Sequence, residues 1–68
     1  MQEKRVHIPN INCAHCVAAI KRELEEMDGI TTVTVDLGSK TAVIRWTDPL
    51  TWDQIRLTLE DIGYPPEE

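Results

Sequence analysis

An α+β fold is predicted for this chain, with two helices on one face of an antiparallel sheet. The prediction rests on short segments in which apolar and polar residues alternate, and on two longer segments whose apolar residues recur at helical spacing. Along the chain these segments run strand, helix, strand, strand, helix. This order is that of a ferredoxin-like split βαβ sandwich (βαββα) whose fourth strand is vestigial or missing.

The first strand and the first helix occupy the N-terminal half. Two apolar side chains, Val6 and Ile8, alternate with polar ones over residues 5–8, and Pro9 ends the strand because it cannot donate to a sheet. The helix is indicated by four apolar residues at helical spacing, Val17, Ile20, Leu24 and Met27. Gly29 is its predicted stop.

A β-hairpin and a second helix follow. The hairpin turns at Gly38 and Ser39, between two segments with alternating apolar residues: Val33, Val35 and Leu37, then Ala42, Ile44 and Trp46. Thr51 and Gln54 form a predicted capping box at the start of the second helix, and Gly63 ends it. Its apolar stripe consists of Trp52, Ile55, Leu59 and Ile62.

The segment after the second helix is short and rich in proline. Only Tyr64-Pro65-Pro66-Glu67-Glu68 remains, and proline donates no hydrogen bond to a sheet. In this architecture the fourth strand lies beside the first, so its loss leaves residues 5–8 as an open edge. We expect weak self-association, or addition of a partner's strand, at this edge.

Length and composition predict one domain over residues 1–68 and exclude several functions. Twelve acidic and seven basic residues give a formal net charge of −5, which argues against a nucleic-acid surface. No apolar run approaches the roughly 18–20 residues of a membrane span, and the polar start is unlike a signal peptide. We therefore expect a cytoplasmic protein that does not insert into membranes.

The most informative motif is Cys13-Ala14-His15-Cys16, where a strand gives way to a helix. Two thiols at this spacing can bind one ion, and the free amides of the helix N-terminus should lower the pKa of at least Cys16. Two thiolates without further evident ligands suit Cu(I), whereas structural Zn(II) takes four ligands. Cys13 and Cys16 are thus the predicted metal ligands, and Cu(I) is favoured over zinc, cadmium and mercury.

These features together resemble the heavy-metal-associated domain of copper chaperones, metal-transporting P-type ATPases and mercury-binding proteins. The resemblance covers nearly the whole chain and rests on Ile11-Asn12-Cys13-Ala14-His15-Cys16, Trp46-Thr47-Asp48-Pro49 and Asp61-Ile62-Gly63-Tyr64. It implies a metal ion held by Cys13 and Cys16 on an exposed loop and passed to a similar domain, such as that of an ATPase. Asn10-Ile11 replaces the family's Gly-Met, and Ile11 is expected to take the buried packing position of that methionine.

Several alternatives remain open at this stage. His15 is a candidate third ligand, although its position more often faces solvent and the docking partner. Tyr64 matches a family position where the ring shields the metal and its hydroxyl bonds a thiolate, or else it only covers the core. A Cu(I)-bridged dimer of two cysteine loops is a further candidate assembly.

Two rival functions share the Cys-x-x-Cys motif. One is a separately encoded sensory or receiver module for zinc, cadmium or mercury, which would have the same fold and loop. The other is a dithiol redox protein, since thioredoxin-like oxidoreductases also place this motif before a helix. A thioredoxin-like fold needs a longer chain and a different order of elements, so we expect no enzyme.

Overall fold

A three-stranded antiparallel sheet forms one layer of the protein, in a computed structural model that describes residues 1–67. Its strands are β1 (Gln2–His7), β2 (Ile30–Asp36) and β3 (Thr41–Trp46), in the order β1-β3-β2. The central strand β3 pairs along the whole of β1 and along β2, with one irregularity near the start of β2. The hairpin turn lies between β2 and β3, as predicted.

Two helices, α1 (Ala14–Glu25) and α2 (Trp52–Asp61), cover one face of this sheet and leave the other exposed. The buried strand side chains alternate along each strand and all belong to the core beneath the helices: Val6, Val33, Ala42, Ile44 and Trp46. The helices contribute Ile20, Leu24, Ile55 and Leu59, which have no exposed surface. The predicted ferredoxin-like sandwich and its helix stripes are therefore confirmed.

The start of α2 follows its sequence signature closely. Thr51 Oγ1 accepts a hydrogen bond from the Gln54 amide at 3.4 Å, and Gln54 Oε1 accepts one from the Thr51 amide at 3.0 Å. Leu50 and Ile55 on either side are both buried, as a hydrophobic staple requires. The predicted capping box is therefore confirmed.

The end of α1 differs from the prediction. The helix ends at Glu25, and Gly29 lies four residues later, in the turn that leads into β2. Gly29 has φ 104°, and a Cβ at this position would lie 2.9 Å from the Leu50 Cβ and 3.1 Å from the Thr47 oxygen. The glycine is thus required by the close approach of two chain segments rather than by a helix cap.

The edge at β1 also differs from the prediction. β1 begins three residues earlier than expected, at Gln2, because β3 offers partners up to Trp46. Glu67 forms an isolated antiparallel bridge with His7: its amide donates to the His7 carbonyl at 2.7 Å, and its Oε1 lies 2.9 Å from His7 Nδ1. The fourth strand is therefore vestigial, the predicted open edge is covered at His7, and Glu68 lies outside the described residues.

Within residues 1–67, neither helix is long and apolar enough to cross a membrane.

Candidate metal centre

The loop between β1 and α1 is fixed to the core by two buried isoleucines, Ile8 and Ile11. Ile11 is fully buried, while Asn10 and Asn12 on either side are exposed. The Ile11 amide also donates to the Ile8 carbonyl at 3.1 Å, which closes a turn beneath the loop. Ile11 thus has the buried packing position that its place in the sequence predicts.

The two cysteines lie at the start of α1. Cys13 is the N-cap residue, and its carbonyl accepts a hydrogen bond from the Cys16 amide at 3.1 Å, which closes the first turn. This turn brings the two Sγ atoms to 3.5 Å from each other. Cys13 is partly exposed, whereas Cys16 is only 6% exposed and packs in the core.

Cys16 is surrounded by polar groups in spite of its burial. Its Sγ lies 3.3 Å from Asn12 Oδ1 and 4.0 Å from the Asn10 carbonyl oxygen, and both oxygens can accept the thiol proton. Tyr64 is a further polar neighbour, since its side chain and that of Cys16 shift each other's pKa. Cys16 is therefore the sulfur whose environment is set by the protein, and Cys13 is the sulfur that solvent reaches.

The hydrogen bond from Tyr64 is the largest cause of a lowered thiol pKa. Together with backbone hydrogen bonding at Asn12, and against the opposing effect of burial, it lowers the pKa of Cys16 to about 7. The same contact raises the pKa of Tyr64 above its usual value, because the hydroxyl is held as a donor. The sequence predicted the direction of the cysteine shift but assigned it to the helix N-terminus.

His15 and Tyr64 lie on the same side of the loop and line a shallow groove along α1. His15 is exposed. Across residues 1–67, no group of three or more His, Cys, Asp or Glu side chains is arranged to hold a metal ion. The described part of the chain therefore offers a pair of sulfur ligands rather than a three- or four-ligand cage.

The spacing of the two sulfurs has a geometric consequence for a bound ion. With metal–thiolate bonds of about 2.3 Å, a linear two-coordinate ion needs its sulfurs about 4.6 Å apart. The observed 3.5 Å separation is shorter than this, so a linear ion would require the two sulfurs to move apart. Because Cys16 is packed in the core, Cys13 is the side chain that can move outward.

Asn10 and Asn12 are the neighbours of the cysteine pair that sequence reasoning missed. Asn12 Oδ1 contacts Cys16 Sγ, and Asn10 Nδ2 donates to the Gly63 carbonyl at 3.0 Å. In the sequence, Asn10 is distinguished only by its departure from the family's Gly-Met. No local pattern connects Asn10 to Gly63, which is 53 residues away.

The family of the chain is decided by comparison with known proteins. The family model described as the heavy-metal-associated domain matches residues 5–65. The chain belongs to this family. A heavy-metal-associated domain is a metal-binding module rather than an enzyme, which confirms the predicted family and the prediction of a non-enzymatic protein.

Relatives of this heavy-metal-associated domain include both small proteins and parts of large ones. The chain is 34% identical over 56 residues to the "COP-associated protein" of Helicobacter pylori, covering 82% of this chain and 85% of that protein. It is 37% identical over 57 residues to a "Probable copper-importing P-type ATPase A" of Enterococcus hirae, covering 84% of this chain. The chain spans only 8% of the length of that ATPase.

The fold is shared with a solved structure of similar size. The solution structure of apo-CopP from Helicobacter pylori superposes with a TM-score of 0.88 at 29% sequence identity, and covers 97% of this chain and 100% of that one. The two-layer architecture described above is therefore the family fold.

Proposed function

We propose that this domain binds one Cu(I) ion through Cys13 and Cys16 and passes it to a partner domain by exchange of thiolate ligands. The observation that carries the proposal is the pair of sulfurs 3.5 Å apart at the start of α1, one partly exposed and one buried. The pKa of about 7 at Cys16 makes a large fraction of that thiol available as thiolate near neutral pH.

The choice of copper rests on ligand number and on the relatives. A soft ion of low coordination is satisfied by two thiolates, whereas structural zinc takes four ligands. The names of the relatives point to the same metal, since copper is named for the Enterococcus hirae ATPase and for the copper chaperone CopZ of Bacillus subtilis. Zn(II), Cd(II) and Hg(II) are the competing ions that the experiment below must separate.

The proposed transfer uses the difference in exposure between the two cysteines. A thiolate of the partner approaches the ion on the side of Cys13, adds as a third sulfur ligand, and one of the original bonds then breaks. The bond that forms balances the bond that breaks, and a second exchange of this kind completes the transfer. The oxidation state therefore does not change, and the ion is never free. The metal-binding domain of a P-type ATPase is the partner we propose, because such domains match most of this chain.

We also propose that residues 1–68 act as one unit in the cytoplasm, where thiols stay reduced. Whether the domain donates or receives the ion is a question of direction only, since the same loop serves a carrier and a receiver. Incubation of the Cu(I)-loaded domain with a metal-free ATPase domain, and the reverse incubation, measures this direction.

Anaerobic titration of the reduced protein against competing chelators tests the proposal. We expect one Cu(I) per chain, with much weaker binding of Zn(II) and Cd(II) tested in the same way. Hg(II), a soft ion that two thiolates also suit, is titrated separately for comparison. The Cys13→Ser, Cys16→Ser double variant should lose tight Cu(I) binding, whereas the control His15→Ala should keep it. Full affinity in the double variant would place the site elsewhere, and tighter binding of Zn(II) or Cd(II) would favour a sensory module.

A further inference from the structure

The sheet has a second edge, at β2, which is less protected than the edge at β1. In the order β1-β3-β2 only β3 pairs with β2, and among residues 1–67 no other strand or isolated bridge lies on its outer side. Alternate residues of an antiparallel edge strand turn their amide and carbonyl groups outward, where another strand can pair with them. Within the described part of the chain, β2 is therefore a template for strand addition.

The two edges differ in the features by which proteins prevent strand pairing. β1 has three charged residues in succession at positions 3–5, and Glu67 bridges its end at His7. β2 has the sequence ITTVTVD, in which only the last residue, Asp36, is charged. Charges on an edge oppose pairing, whereas uncharged β-branched residues favour it. Strand addition is therefore better suited to β2 than to β1.

The regular part of β2 is complementary to itself in an antiparallel arrangement. Its register against β3 shifts between Ile30 and Thr32, and the pairing is continuous only over residues 32–36. When two copies of this segment are paired about Thr34, Val33 of one copy faces Val35 of the other on the side of the helices. Val35 is only half-buried in the single chain, so this pairing would cover more of its apolar surface.

The opposite side of the sheet is matched in the same register. Thr34 lies opposite Thr34 of the second copy, and Asp36 lies opposite Thr32, whose hydroxyl can donate to the carboxylate. The two Asp36 side chains are then separated by about 14 Å along the strand, which exceeds the Debye length of about 8 Å at physiological ionic strength. Parallel pairing in register would instead bring these two carboxylates side by side.

We propose that β2 pairs antiparallel with β2 of a second copy of this chain, centred on Thr34, to form a continuous six-stranded sheet. A second copy is the occupant because the segment matches itself residue by residue. A contact limited to one short strand per chain is smaller than the roughly 800 Å² per partner of a standard interface, so the dimer is weak, with a Kd of about 1 mM. The pairing uses neither cysteine and needs no metal ion.

Amide chemical shifts of the reduced, metal-free wild-type protein test the proposal. As the protein concentration rises from about 0.05 to about 2 mM, we expect the signals of residues 32–36 to shift more than those of β1 and the cysteine loop. The net charge of −5 on each copy opposes association, so the apparent Kd should fall as salt is added. Unchanged shifts over this range, or shifts centred on β1 or the cysteine loop, would overturn the inference.

Two variants with the same added charge locate the contact. Thr34→Lys places two ammonium groups opposite each other at the centre of the pairing, and Thr34 is exposed, so the single chain should tolerate the change. Gln2→Lys adds a charge at the exposed start of β1 and is the matched control. We expect Thr34→Lys to raise the Kd by about fivefold and Gln2→Lys to leave it within about twofold of wild type. Equal Kd values for the two variants would contradict pairing at Thr34.

Discussion

The side chain of Tyr64 lowers the pKa of the Cys16 thiol, so the segment after the last helix acts on the first turn of the first helix. The contact couples two properties that are usually separate. It stabilises the thiolate, the form that binds a metal, and it also ties the C-terminal segment to the loop. A substitution at Tyr64 or in the cysteine loop should therefore change the pKa of Cys16.

Removing the hydroxyl should raise the pKa of Cys16. Tyr64→Phe keeps the ring that packs on the core but loses the largest cause that lowers this pKa to about 7. Thiolate absorbance at 240 nm, followed against pH in the reduced and metal-free protein, measures the change. The Cys13→Ser background isolates the titration of Cys16, and an unchanged midpoint there would show that Tyr64 does not act on this thiol.

The lowered pKa of Cys16 also predicts how stability depends on pH. A thiol whose pKa is about 7 when folded and 9.0 at its ordinary value binds fewer protons in the folded state. The free energy of unfolding of the reduced, metal-free protein should therefore rise as pH increases from about 7 to about 9, and this gain is lost again as pH falls through the folded pKa.

Urea denaturation at intervals across this pH range measures the effect. Cys16→Ala should show a flatter profile, because the titrating group is gone. A profile for the wild type as flat as that of the variant would contradict the prediction.

Oxidation should block the site. The two Sγ atoms are 3.5 Å apart, and a disulfide needs about 2.05 Å, so a small rotation of the partly exposed Cys13 is enough for bond formation. Treatment with the thiol oxidant diamide should remove both free thiols and abolish Cu(I) binding, and dithiothreitol should restore both. Thiol counting with a chromogenic disulfide reagent follows the reaction, and retention of both thiols under diamide would refute it.

Truncation of the two helix stripes should be costly. Leu24 in α1 and Ile55 in α2 are fully buried, so Leu24→Ala or Ile55→Ala should each reduce the free energy of unfolding by about 2–5 kcal/mol. Leu57 provides a matched control in the same helix, since it is 52% exposed and its replacement by Ala should cost less than about 0.5 kcal/mol. Chemical denaturation of the metal-free proteins measures both, and equal costs at Ile55 and Leu57 would contradict the assigned core.

The bridge at His7 should limit association at the edge of β1. Because Glu67 already occupies the His7 carbonyl, self-association of the full chain should be weak, and deletion of residues 65–68 should strengthen it. Sedimentation equilibrium with reduced, metal-free protein compares the two chains. Identical behaviour would show that this edge does not drive association, whereas a dimer seen only with Cu(I) would indicate bridging between two cysteine loops.

Much of the fold follows from local patterns in the sequence. Alternation identified the strands, helical spacing identified both helices, and the capping box from Thr51 to Gln54 fixed the start of α2. These features could be predicted because each depends on residues close together in the chain. The spacing of Cys13 and Cys16 is local in the same sense, and the first turn of α1 brings their sulfurs together.

Other features depend on residues that meet only after folding. Two contacts join the ends of the chain: the hydrogen bond from Asn10 to Gly63 and the bridge between His7 and Glu67. No local sequence pattern predicts either contact. The position of Gly29 was misread for a related reason. A glycine near the end of a helix indicates a cap, but here the close approach of Leu50 requires it.

The buried side chain of Ile11 bears on the kinetics of encounter. A disordered loop must first adopt its bound conformation, so fewer collisions with a partner lead to docking and the association rate constant is lower. Because Ile11 packs in the core beneath the loop, the loop backbone is held in place while the residues on either side stay exposed. Association with a partner should then be limited by diffusion and orientation, with little delay for folding of the loop.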